Sequence, residues 1–211
     1  MKNILVAALL LVTIAGFAQK RQSLFNGKNL EGWSIWVNDQ SIDPGKYFYV
    51  KDGVIETPGV PMGYLRTKGE YSDYRLHVEW CYPENPTNSG IFIHTNGPDQ
   101  QWPLHYQAQL KHGFAGDFIV NAAGEKATVG DSTYVGTEKV KPIAAKKNPS
   151  NEKPAGEWNS YDITCKGNTV EVSVNGLLQS KAVNCSMTKG AIGLQAEGSK
   201  IRFRNIWIEK L

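Results

Sequence analysis

Along most of the chain apolar and polar residues alternate one by one, the period of a β-strand whose two faces meet different surroundings. In Tyr74-Arg75-Leu76-His77-Val78-Glu79-Trp80 the residues Tyr74, Leu76, Val78 and Trp80 fall on one face. The same alternation returns in Leu104–Leu110 and in Thr169–Val174. Asn175-Gly176 follows the last of these, and Asp52-Gly53 separates Tyr47–Val50 from Val54–Thr57. Such pairs are the strongest short hairpin signal, because both turn positions need positive φ. Lys166-Gly167-Asn168 marks a third turn, and no stretch of the mature chain has convincing helical periodicity. Many short strands, with 21 glycines and ten prolines between them, predict an all-β sandwich or barrel rather than βαβ units. One segment breaks the rhythm: Lys139–Pro154 is basic, contains three prolines and has no period. Too little chain follows it for a second core, so it reads as a long surface loop folded over the rim of a sheet.

The first residues change the picture at one end. Met1-Lys2-Asn3 is a short basic start, Ile4–Ala15 an apolar run, and Gly16-Phe17-Ala18 supplies small residues at −3 and −1 of a cleavage site. The run is shorter than a membrane span of about 20 residues. Residues 1–18 are therefore expected to be a signal peptide, with one domain over 19–211 and no membrane anchor after cleavage. The protein is then periplasmic or secreted. The formal net charge of +3 is small, so composition gives no case for nucleic acid. Cys81, Cys165 and Cys185 are too few for a disulfide framework, though Cys165 and Cys185 lie near strand ends where a bridge is conceivable.

Candidate chemistry concentrates on two strands. If Leu104, Tyr106, Ala108 and Leu110 face the core, then His105, Gln107, Gln109 and Lys111 project together from the other side. In Asn88-Ser89-Gly90-Ile91-Phe92-Ile93-His94, the same logic puts Phe92 and His94 opposite core residues Ile91 and Ile93. Gly90 then permits close approach of a ligand or backbone. Trp102, in the intervening loop, is a stacking platform for a sugar ring. These residues make a row of hydrogen-bonding groups beside aromatic rings, suited to an oligosaccharide or glycoside. No Gly-x-Ser-x-Gly, Walker or Gly-x-Gly-x-x-Gly motif occurs. Neither His-x-x-x-His nor Cys-x-x-Cys spacing supports a metal at His94 and His105. No Glu-x-Asp-x-x-Glu strand provides paired carboxylates, and the pairs on offer are Asp117 with Glu79 or with Glu197.

The chain also resembles the 3-keto-disaccharide hydrolase domain family over nearly all of its mature length. The resemblance rests on Leu24-Phe25-Asn26-Gly27-Lys28-Asn29-Leu30-Glu31-Gly32-Trp33, on Asn88–Phe92 and on Ala108-Gln109-Leu110-Lys111-His112-Gly113. Ala115-Gly116-Asp117-Phe118, Gly156-Glu157-Trp158-Asn159, Gly193-Leu194-Gln195 and Phe203-Arg204-Asn205-Ile206 extend it. It implies a concanavalin A-like jelly-roll β-sandwich acting on glycosides oxidised at C3. There a ketone acidifies the C2 proton and the C1 oxygen leaves by elimination. Put together with the outward-facing residues, this chemistry needs a base, sought among His94, His105 and Asp117, with Asn88, Phe92, Trp102, Gln107, Gln109 and Lys111 holding the sugar. It leaves room for a divalent cation with unknown ligands. Many members carry an acid where this chain has Gln107, and an amide takes no proton at neutral pH. The alternative is a carbohydrate-binding module without catalysis on the same face.

Overall fold

The computed structural model describes residues 21–211, so the expected signal peptide and its cleavage site lie outside the described residues. The chain begins with strands β1 (Arg21–Ser23) and β2 (Trp33–Val37), then a single helical turn, α1 (Pro44–Tyr47). The turn starts where Asp43 Oδ1 accepts the Gly45 N–H with Pro44 at its first position, a capping signal that hydrophobic alternation does not register. Strands β3 (Tyr49–Lys51), β4 (Val54–Thr57), β5 (Gly63–Thr67) and β6 (Tyr74–Cys81) follow. The middle holds β7 (Gly90–Asn96), β8 (Leu104–Gln109), β9 (Phe118–Asn121), β10 (Lys126–Val129), β11 (Ser132–Val135) and β12 (Ile143–Ala144). The last third is β13 (Asn159–Lys166), β14 (Thr169–Val174), β15 (Leu177–Val183), β16 (Ala191–Ala196) and β17 (Ile201–Lys210).

These strands form two antiparallel sheets. One runs β11-β10-β15-β14-β13-β6-β17-β4-β3, with β1 also paired to β17, and the other runs β12-β9-β8-β7-β16-β5-β2. Neighbours such as β6 and β17, or β7 and β16, are far apart in sequence, so the chain crosses repeatedly between sheets as a jelly roll does. The expected hairpins form at Asp52-Gly53 between β3 and β4 and at Asn175-Gly176 between β14 and β15. All four turn residues have positive φ.

Tyr74, Leu76, Val78 and Trp80 of β6 face a core shared with Ile91, Ile93, Tyr106, Ala108 and Leu194 of the other sheet. Two tyrosines reach across it to fix the end of β8. Tyr161 donates to the Gln109 carbonyl while accepting the Gly116 N–H, and Tyr82 donates to the Leu110 carbonyl at 2.9 Å. The outward side chain of Gln109 is thus positioned from the opposite sheet.

Cys165 and Cys185 do not pair. All three cysteines are free and buried. The Cys165 thiol lies beside Tyr74, and burial pushes both thiols up to about 12. They pack as small apolar groups. Lys139–Pro154 does fold over a rim, and it also supplies structure: Ile143 and Ala144 pair with Ile119 and Phe118 as an added edge strand.

Candidate functional site

The outer face of the seven-stranded sheet carries a cleft of about 170 Å³. Gln107 and Gln109 of β8, Ile119 and Asn121 of β9 and Gln195 of β16 form its floor, and Asn88, Trp102, Lys141, Ile143 and Glu197 form its walls. Asn88, Trp102, Gln107 and Gln109 therefore come together as their alternation and loop position predict.

The amides of the floor have an assignable order. Gln109 Oε1 accepts the backbone N–H groups of Leu110 at 2.9 Å and Lys111 at 3.1 Å, so that atom is oxygen. Gln107 must then present Nε2 to it at 3.1 Å, and the same nitrogen reaches Gln195 Oε1 at 3.3 Å. Gln195 in turn donates to Glu197 Oε2 at 2.7 Å. A chain of directed hydrogen bonds thus leads from the buried Gln109 to the Glu197 carboxylate.

Gly90 makes this possible. Its nearest outward neighbour is the Gln107 side chain, and a Cβ at position 90 would lie 2.4 Å from Gln107 Nε2 and 2.8 Å from its Cγ. The close approach expected at Gly90 is made by Gln107. Gly90→Ala should push Gln107 off the floor and cost about 1–3 kcal/mol by overpacking. Replacing Gln107 by Ser in the Gly90→Ala background should recover much of that loss in urea denaturation. Equal instability of the single and double variants would place the strain elsewhere.

The histidines are not exposed to the cleft. His105 does face outward, but it is fully buried and its ring stacks on Phe92 with centroids 3.7 Å apart. Nδ1 lies 2.7 Å from the Pro103 carbonyl and must donate to it. Burial lowers the imidazole to about 4, so the ring is neutral and Nε2 carries a lone pair, which accepts from Asn121 Nδ2 at 3.1 Å. Gln107 Oε1, 3.3 Å from that lone pair, gains no donor from the neutral ring. It is left as a free acceptor on the cleft floor. Asn88 Oδ1 is a second, buried and without a partner. Phe92 is itself fully buried beside Tyr64 and His105 on the same face, so it packs next to the floor and does not line the cleft.

His94 departs from the alternation. Ile93 pairs with Tyr106 and Asn96 with Leu104, so β7 spends one more residue than β8 there. This bulge, with His94 at φ 52°, turns its side chain away from Phe92. The ring instead meets core residue Tyr74 edge-on at 5.8 Å, with Nδ1 3.1 Å from the Met187 carbonyl. Two further candidates also lie outside the cleft. Strand β8 ends at Gln109, and Lys111 is exposed with Nζ 5.1 Å from the Phe114 ring. Asp117 is buried, accepting the Lys146 N–H at 2.9 Å with Lys146 Nζ 3.8 Å away, and serves to hold the 139–154 loop. Glu79 points from the opposite sheet, where Arg204 Nε donates to it at 2.6 Å. The carboxylate pairs offered by the sequence are therefore not assembled at this cleft.

Lys141 is the group that strand periodicity could not find. The aperiodic loop carries it over the sheet until Nζ stands 3.4 Å from the Trp102 ring centroid. Trp102 thus holds an ammonium on one face, a cation–π contact. Burial pulls Lys141 down to about 8, and the nearby Glu197 charge opposes that shift. Among the described residues Glu197 is the single carboxylate lining the cleft and Lys141 the single amine. The oxygen donors lining the cleft are amide oxygens and one carboxylate, a hard set of the kind calcium or magnesium accepts rather than a soft-metal site. No three His, Cys, Asp or Glu side chains converge among the described residues. A larger hollow of about 450 Å³ between Tyr134, Leu178 and Lys147 contains neither carboxylate nor imidazole.

Residues 20–209 match the model of the 3-keto-alpha-glucoside-1,2-lyase-like domain. The chain belongs to that family. No curated protein matches this member. Among solved structures, a candidate glycosyl hydrolase from Parabacteroides distasonis is 23% identical with a TM-score of 0.65, over 90% of this chain and 94% of its own. The carbohydrate-binding module CBM66 from Bacillus subtilis is 11% identical with a TM-score of 0.59, over 85% of this chain and 96% of its own. A β-glucanase from Bacillus licheniformis, 12% identical with a TM-score of 0.55, covers 90% of this lyase-like domain and 96% of itself. At these identities the likeness is one of fold, the concanavalin A-like sandwich.

Proposed function

We propose that the cleft binds a glycoside carrying a ketone at C3 and cleaves it by elimination across C1 and C2. The observation that carries this reading is the meeting of one carboxylate and one amine in a cleft with two free amide acceptors, Gln107 Oε1 and Asn88 Oδ1. Ordinary glycoside hydrolysis needs two carboxylates flanking the bond. Elimination needs one base for the acidic C2 proton and one positive group for the charge that develops on the C3 oxygen. Glu197 is the base in this scheme and Lys141 the positive group. Gln107 Oε1 and Asn88 Oδ1 accept sugar hydroxyls, and Ile119 and Ile143 keep the ring's apolar face dry.

With an export signal at residues 1–18, the substrate is met in the periplasm or outside the cell. The test compares matched glycosides bearing C3 as hydroxyl or as ketone, with deuterium at C2 in a third sample. Cleavage restricted to the ketone and slowed by deuterium is expected. Comparable cleavage of both glycosides would overturn elimination. Binding of both without cleavage would instead make the domain a carbohydrate-binding module.

A further inference from the structure

We propose that Lys141 is a covalent catalyst, condensing through Nζ with the C3 ketone of the substrate to form an imine. This deepens the reading above and rests on it. Three features of the cleft support the assignment. Lys141 is the amine lining it, brought there by a loop pinned through Asp117, Gln179 and the β12–β9 pairing. Its surroundings are Trp102 on one side, with Ile143 and Ile119 also lining the cleft, which is the desolvated setting that makes a lysine nucleophilic. Glu197 lines the same cleft and acts on the amine through its charge, yet among the described residues no carboxylate is paired with Nζ in a salt bridge. The lowered lysine value, about 8, fits a fraction of free amine near neutral pH.

The atoms balance. The neutral Nζ attacks the C3 carbonyl carbon, a C–N bond forms, and the carbonyl oxygen departs as water. That water carries one proton from Nζ and one from solvent, the latter returned when the iminium is hydrolysed. The resulting iminium withdraws electrons from C2 more strongly than the ketone does. Glu197 takes the C2 proton, and the C–H pair becomes the enamine double bond between C2 and C3. That pair then forms the C1–C2 double bond as the C1–O bond breaks, restoring the iminium. The departing oxygen receives the proton that Glu197 holds. Water returns to C3, releasing the unsaturated ketone and the free amine, so no oxidant or reductant is consumed.

The experiment treats the whole protein with a 3-keto-glycoside and sodium cyanoborohydride, then maps adducts by peptide mass spectrometry. A reduced sugar adduct on Lys141, absent with the C3-hydroxyl glycoside, is the expected result. Lys141→Arg keeps the cation but forms no imine, so it should lose both the adduct and cleavage. Circular dichroism and thermal melting of that variant separate this loss from misfolding. Adducts only on exposed lysines, or Lys141→Arg with full cleavage of the keto-glycoside, would overturn the imine while leaving elimination standing. Failure of the wild-type protein to consume the keto-glycoside, with Lys141 unmodified, would overturn both.

Discussion

Glu197→Gln should leave the fold intact and lower kcat on a 3-keto-glycoside by about 10²–10⁴-fold, the usual contribution of a positioned base. The substitution is close to isosteric. Its amide oxygen can still accept the Gln195 Nε2 hydrogen bond, now 2.7 Å long, so the floor keeps its order. What disappears is the proton acceptor and the negative charge beside Lys141. That charge raises the lysine against the effect of burial. Without it the ammonium should lose its proton at a pH below the present value of about 8. The alkaline feature of any residual pH–rate profile should shift to lower pH accordingly. Steady-state kinetics across pH 5–10 read both effects, with KM changing far less than kcat. A loss smaller than about tenfold would mean that the base is another group, because general-base catalysis is worth more than that.

The sandwich was readable because alternation is a local property. Each of β6, β8 and β14 carries its own signal, and the Asn-Gly and Asp-Gly turns mark where neighbouring strands reverse. The outward row of β8 follows from the same logic, which is why Gln107 and Gln109 lie in the cleft beside Asn88 and Trp102. Where alternation is interrupted, the reading fails for a physical reason. A single extra residue in β7 reverses the direction of His94. The end of β8 at Gln109 frees Lys111 from the strand's facing rule. His105 keeps its predicted direction but is sealed from solvent, because an outward position on this sheet is covered by neighbouring side chains and loops.

Lys141 was hidden for a different reason, and Glu197 was reached only as a carboxylate to pair with Asp117. Both stand just beyond strand ends, at positions where no period fixes direction, and Asn88 and Glu197 meet only through an isolated bridge between distant parts of the chain. A proline-containing basic segment has the composition of a linker, and only its tertiary ties reveal that it builds one wall of the cleft. The Asn148 N–H donating to Gln179 Oε1 at 3.1 Å and the Asn151 amide donating to the Val174 carbonyl at 2.6 Å are such ties. The resemblance supplied Gly193-Leu194-Gln195 as a family marker, and the structure gives Gln195 a purpose as the relay between Gln107 and Glu197.

Gln107→Glu, which from sequence restores a proton acceptor, should instead destabilise this protein. The Gln107 amide nitrogen faces two oxygens, Gln109 Oε1 and Gln195 Oε1. Neither partner can turn to offer a donor without loss. Gln109 Oε1 is held by two backbone N–H groups, and reversing Gln195 would break its bond to Glu197. A carboxylate at 107 would thus meet oxygen on both sides and the neutral His105 beyond, with no positive partner on the floor. An unpaired buried charge of this kind costs about 3–5 kcal/mol. The carboxyl avoids it by staying protonated, so its folded-state pKa rises above the unfolded value of about 4.3. Below that unfolded value both states are protonated and the penalty is smallest. As pH rises toward the folded pKa, only the unfolded state ionises, and stability should fall by about 1.4 kcal/mol per pH unit relative to wild type. Urea denaturation at pH 4, 6 and 8 measures the trend. A variant as stable as wild type at pH 8 would mean the amide order deduced for the floor is wrong. It would also show that an acid at this position fits this cleft without further change.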